Sequence, residues 1–167
     1  SSTAISISNP LVQEESLLRT SLMPGQLKII SYNQSHRIKK LKFFEIGHVY
    51  LPSEDNQLLP DEREYLSISI AGGDATEIVA ILDMISLTMA FPNMQLKQQE
   101  IEGLHPGRSA QVFVAGQERG AVGEVDPRVL RNYGIDDSVA WLELDLGSIL
   151  AGPFGKKKYT SVSKYPS

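Results

Sequence analysis

Three histidines, His36, His48 and His105, are the only imidazoles in this 167-residue chain, and no cysteine accompanies them. None stands at the His-x-x-x-His or His-Glu-x-x-His spacing that puts two ligands on one helix face, so no metal site is expected. The absence of cysteine excludes a disulfide framework, a thiolate metal site and a cysteine nucleophile. No Gly-x-x-x-x-Gly-Lys-Ser/Thr loop cradles phosphate, and no Gly-x-Ser-x-Gly elbow seats a hydrolase serine. The most pointed segment is His105-Pro106-Gly107-Arg108-Ser109-Ala110. Pro106-Gly107 suits a turn beside which Arg108 could present a planar cation to a carboxylate or phosphate. The plainer reading, which we favour, is a turn launching the next strand, with Arg108 solvated or paired to a surface acid. Glu124 and Asp126 offer two carboxylates at a strand end. Asp126 before Pro127 is better explained as the N-cap of a short helix. Lys156-Lys157-Lys158, the one charge run, reads as a solvated loop tip.

The elements that must position these residues follow from period and punctuation. Ile5 and Ile7 alternate with serines as in a half-buried strand. Glu14 to Gln34 is expected to be helical, broken near Met23-Pro24-Gly25, with Met23, Leu27 and Ile30 on one face and Ile29 off it. Strands are expected over Lys42–Leu51, with Phe44, Ile46 and either His48 or Tyr50 in alternation, and over Glu64–Ala71, with Leu66, Ile68 and Ile70. A polar loop, 52–57, separates them. The clearest helix runs from Thr76 to Phe91, with Ile78, Ile81, Leu82, Ile85 and Met89 on its stripe and Pro92 ending it. Strands follow at Met94–Ile101, Ser109–Ala115, Gly120–Val125 and Val139–Asp145. A short helix from Pro127 to Tyr133 stops at Gly134. Short connections between strands argue for a largely antiparallel sheet with helices packed on it, an α+β architecture.

Composition bounds the function classes. With 41% hydrophobic and 22% charged residues the chain is neither disordered nor collagen-like. A chain of this length buries enough surface for one core without staples. No apolar stretch reaches bilayer-spanning length and no secretory leader precedes the first strand, so neither a membrane partner nor export is expected. A net charge of −4 disfavours gripping phosphate by bulk electrostatics. Both ends look cut, as in a piece excised from a longer protein.

Taken in order, several blocks resemble one family. Asn9-Pro10-Leu11, Leu18-Arg19-Thr20-Ser21-Leu22-Met23-Pro24-Gly25, Asn33 and Phe44-Glu45-Ile46-Gly47-His48-Val49-Tyr50 are similar to the β chain of phenylalanyl-tRNA synthetases. His105 to Ala110, Gly120 to Pro127 and Glu143-Leu144-Asp145-Leu146 match in the same order, and Ser163-Lys164-Tyr165-Pro166 looks like the lead-in to a following C-terminal domain. The resemblance implies a class II synthetase-like core over 1–160, truncated at its N-terminus, and over 161–167 the start of a linker to a following C-terminal domain. It implies a cytoplasmic α2β2 heterotetramer in which a catalytic α subunit, using ATP and magnesium, attaches phenylalanine to tRNA(Phe). This module would be non-catalytic and would hold no cofactor of its own, with tRNA a partner through the parent enzyme.

The resemblance also implies where nucleotide-clamping cations would stand. The strand position after the aromatic Tyr50 is Leu51 rather than arginine. The strand-to-helix junction Trp141–Leu150 has one glycine and no arginine. No catalytic residue is therefore expected, and Glu45, His105, Arg108 and Glu124 are the candidates for a vestigial pocket. Two rivals remain. A stand-alone ligase would recruit Arg19, Arg37, Arg63 or Arg108. An RNA-contacting module would use Arg37, Lys39, Lys40, Lys42 and Lys156–Lys158, and would lose affinity steeply with salt.

Overall fold

The alternating segments pair into a six-stranded sheet whose neighbours are all antiparallel. The computed structural model describes residues 5–6, 17–53 and 59–152. Strands β1 (Ile5–Ser6) and β2 (Leu17–Leu18) form a small separate ladder, and helix α1 (Met23–Ser35) follows. Next come β3 (Leu41–Leu51), β4 (Asp61–Ala71), α2 (Ala75–Met89), β5 (Gln95–Gln98), β6 (Leu104–Val114) and β7 (Gln117–Val125). The described chain closes with α3 (Pro127–Asn132), β8 (Val139–Asp145) and α4 (Leu146–Ala151). The sheet order is β3-β4-β8-β7-β6-β5, so β8 returns to lie between β4 and β7. Ile7, Glu14 to Ser16, most of the 52–57 loop, Lys156–Lys158 and the expected boundary at 160 fall outside the described residues.

Alternation gives the sheet two covered faces. On one, Ile70, Leu142, Leu144, Val122 and Val112 meet Ile78 and Leu82 of α2 and Ile149 of α4. On the other, Met23, Leu27 and Ile30 of α1, with Leu130 of α3 and Ile135 after it, pack over Ala71, Val125, Val139 and Trp141. Each fully buried side chain of this kind contributes roughly 1.5–3 kcal/mol. β8 is buried on both faces and so reads as a continuous apolar run interrupted by two carboxylates.

Several expectations are corrected. The helix does not run back from Met23, because Leu17–Leu18 is extended and Pro24 occupies the first turn. A proline there has no N–H to continue the ladder to a preceding turn. Helix α2 ends before Pro92: Ala90 adopts a left-handed conformation (φ 54°), and the Phe91 N–H donates to the Ser86 carbonyl (2.9 Å). That reversal returns Phe91 to the core and leaves Met89 exposed, off the buried stripe. The turn expected at Pro106-Gly107 lies earlier, at Glu102-Gly103, where Gly103 takes φ 84° and the Leu104 N–H donates to Ile101 (3.0 Å). His105 to Arg108 instead belong to β6, in an irregular stretch between the pairs Leu104–Val125 and Ser109–Gly123. The β6–β7 reversal is a tight hairpin in which Ala115 and Gly116 both have positive φ (53° and 77°), matching the strand twist. The stripe on β3 alternates as expected, but among the described residues no helix covers it: Phe44 is 67% and Ile46 53% exposed.

Candidate functional site

Among the described residues, α1 covers only half of its face of the sheet, and the other half forms a cleft of about 320 Å³ lined by Leu51, Arg63, Tyr65, Gln111, Glu143 and Asp145, among others. Register puts Glu45, Ser67, Glu143 and Ala121 in one row across four strands, with Gly47, Tyr65 and Asp145 in the next. The covered half is sealed by a buried amide. Gln26 of α1 accepts from Ser67 Oγ (3.0 Å) and Ser69 Oγ (2.5 Å) and donates to the Ser67 carbonyl (3.3 Å). Pairing all these polar atoms is what lets them sit beneath the helix.

Glu143 sits at the inner end of the cleft. Its Oε2 accepts from the Leu22 N–H (2.8 Å) and from Ser21 Oγ (3.2 Å), while Ser21 Oγ accepts from the Met23 N–H (3.1 Å), so β8 and Ser21 together hold the start of α1. Burial pushes this carboxyl up to about 7, against the two hydrogen bonds that favour its charged form. Asp145 caps α4 through the Ser148 N–H (3.0 Å) and reaches Arg63 Nη1 (3.3 Å). Arg63 also donates through Nε to Asp61 (2.7 Å), a bond that holds its guanidinium in the charged form. Tyr65 is pushed up to about 12, by burial first and then by Asp145 and Glu143. Beside the cleft, Arg19 donates to Glu45 Oε1 (2.8 Å) and to the His48 carbonyl (2.7 Å). Its guanidinium lies so close over Gly47 that a Cβ there would meet it.

This arrangement does not fit a nucleoside triphosphate. The lining carries Arg63 and Arg119 against Glu118, Glu143 and Asp145. Arg63 is already held by two carboxylates, and Arg119 donates to Gln117 and to the Glu118 carbonyl. Leu51 is a wall of the cleft, and Asp145 stands at the strand-to-helix junction, the two places where the family comparison looks for cations.

The sequence candidates do not form one site. Glu45 shares the cleft face, whereas Glu124 pairs across from Ala140 and faces α2. Glu124 accepts from the Ala75 N–H (3.2 Å) and from Arg108 (3.1 Å), so the structure joins Arg108 and Glu124 as an ion pair beside the start of α2. His105 Nδ1 accepts from the Gly107 N–H (3.1 Å), a local bond. Asp126 caps α3 as expected, accepting from the Arg128 N–H (2.7 Å), and Arg128 holds its carboxyl down near 2. Residue-by-residue reading missed Gln26, Tyr65, Glu143 and Asp145. A signal for the last two was present: carboxylates two apart in an otherwise apolar strand share one face. Among the described residues, no group of three or more potential metal ligands converges, and no helix is long and apolar enough to cross a membrane.

The family model described as the phenylalanyl tRNA synthetase beta chain CLM domain matches residues 1–146. The chain belongs to the phenylalanyl-tRNA synthetase β-chain family. It is 33% identical over 165 residues to the phenylalanine–tRNA ligase beta subunit of Clostridium tetani, covering 98% of this chain and 21% of that one. The corresponding subunit of Bacillus subtilis is 29% identical over 175 residues, covering 95% and 21%. The β-chain module thus spans about a fifth of the length of these relatives. A pyrrolysyl tRNA synthetase structure from Desulfitobacterium hafniense superposes with a TM-score of 0.64 at 16% identity, covering 88% of this chain and 52% of that one. The fold is therefore that of class II aminoacyl-tRNA synthetases, an antiparallel sheet flanked by helices.

Proposed function

We propose that this chain is a non-catalytic module of a phenylalanine–tRNA ligase β subunit, supporting assembly with the catalytic α subunit. In this reading the parent enzyme is a cytoplasmic α2β2 heterotetramer that attaches phenylalanine to tRNA(Phe) using ATP and magnesium bound elsewhere. The module keeps the class II sheet as a rigid packing body and holds no cofactor of its own. The observation that carries the reading is the charge balance of the cleft. Where a triphosphate would need free cations, Leu51 and Asp145 line the wall and Arg63 is bound to Asp61 and Asp145. Phosphoryl chemistry depends on electrostatic stabilisation of developing negative charge, and a carboxylate-rich cleft works against it.

Pairing also weighs against the ligase alternative. Of the arginines it would recruit, Arg108 is bound to Glu124 and Arg19 to Glu45. The test is phenylalanine-dependent ATP–pyrophosphate exchange, measured on the full β chain alone and on the β chain co-purified with its α subunit. Exchange is expected only in fractions containing the α subunit. Exchange by the β chain alone overturns the non-catalytic reading, and a β chain that purifies without any second subunit overturns the assembly.

A further inference from the structure

The outer edge of β3 has the attributes of a docking strand. The Tyr50 N–H donates outward to the Arg19 carbonyl (2.9 Å), and Arg19 Nε donates to the His48 carbonyl (2.7 Å), so the segment around Arg19 covers the edge at residues 48 and 50. Residues of the same parity, Lys42, Phe44 and Ile46, turn their N–H and C=O groups to the same side. No described residue pairs with them there. This open stretch is roughly 13 Å long, room for a strand of about five residues.

Unpaired edges of this kind are usually guarded by charge, proline or a bulge. Among the described residues no such guard stands over the open stretch. The Lys42 ammonium is drawn away to Glu77 on α2, and Glu45 is engaged by Arg19 on the other face. Phe44 and Ile46 present apolar side chains beside the bare backbone groups. The approach to the strand is basic. Arg37 holds a left-handed turn (φ 66°), and His36, Arg37, Lys39 and Lys40 are all exposed just before β3 begins. Backbone pairing supplies affinity in strand addition, and flanking charge sets which strand is accepted.

We infer that the edge Lys42–Ile46 receives an extended segment of the partner subunit, with apolar residues in alternation and carboxylates at the end that meets Lys39 and Lys40. A second copy of this chain is a poor occupant. Symmetric antiparallel pairing about Phe44 would bring each copy's 37–40 run toward the other's Arg19, cation against cation. The inference rests on the assembly proposed above and names the surface through which it occurs.

The test uses the assembled enzyme, with Phe44 replaced by the photoreactive p-benzoyl-phenylalanine. Irradiation is expected to join it to an acidic, extended α-subunit peptide. A cross-link within the same β chain, to a second β chain or to tRNA, or no cross-link at all, overturns the inference while leaving the assembly standing. A second arm measures subunit association. Ile46→Pro removes an outward N–H without touching the β4 ladder, and is expected to weaken association at least ~10-fold. The double variant Lys39→Glu, Lys40→Glu changes only exposed side chains and is expected to weaken association and flatten its salt dependence. Association of both variants at wild-type strength overturns the inference. Failure of the wild-type subunits to associate overturns the assembly proposal itself.

Discussion

Replacing Glu143 with Gln keeps an acceptor for the Leu22 N–H and removes the charge that burial penalises. Glu143 is 6% exposed, and its carboxyl is raised from an ordinary 4.5 to about 7, chiefly by desolvation. The sign follows from linkage. Below pH 4.5 the carboxyl is neutral in both folded and unfolded chains, and the folded state bears no penalty. As pH rises from there toward 7, the unfolded chain ionises first and stability falls; above about 7 the folded carboxyl ionises too and the loss levels off. At about 1.4 kcal/mol per pH unit, the interval between the two values corresponds to a loss of about 3 kcal/mol. Glu143→Gln is therefore expected to match the wild type near pH 4.5 and to exceed it by up to about 3 kcal/mol at pH 9. For a chain of this size that difference is about 6–12 °C in Tm. Urea and thermal unfolding of both proteins across that pH range provide the assay, and the difference between them cancels the titration of every other group. Parallel stability curves, or a variant that loses ground as pH rises, would refute the claim that desolvation dominates at this carboxyl.

Three further perturbations probe other contacts. Gln26→Leu strands the Ser69 hydroxyl beneath α1, while Ser67 Oγ keeps its bond to the Leu142 carbonyl (3.0 Å), and should cost about 1–3 kcal/mol in urea unfolding. Adding Ser69→Ala should recover part of that loss, and strict additivity would show that the two groups are not coupled. Gly123→Ala places a Cβ against the Arg108 carbonyl of the neighbouring strand. It should destabilise by about 1–3 kcal/mol through a shift of β6, and an unchanged Tm would mean the strands yield freely there. Asp74→Ala removes the acceptor of the Glu77 N–H (2.9 Å) at the start of α2 and should cost about 1 kcal/mol, with Asp74→Asn retaining most of it. Equal losses in the two variants would point to charge rather than the cap.

What the sequence determined by itself is local. Ile78 and Leu82 recur at helical spacing, so α2 was legible wherever it packed. Asp126-Pro127 and Gly134 fix the two ends of α3 through a cap, a preset φ and a left-handed turn, all short-range effects. Alternation announced the strands, and the ordered blocks announced the family. Strand order, by contrast, depends on which hydrophobic faces can be covered together, and only the folded chain inserts β8 between β4 and β7. That insertion buries Glu143 beneath the start of α1 and sets its titration, which no local pattern encodes. The same global arrangement leaves Phe44 and Ile46 exposed although they alternate like core residues, because no helix among the described residues extends over the edge strand. It also separates Glu45 from Glu124 onto opposite faces, since a pleated strand sends neighbouring positions to opposite sides. Sequence names the groups that can do chemistry; the sheet's register decides which of them meet.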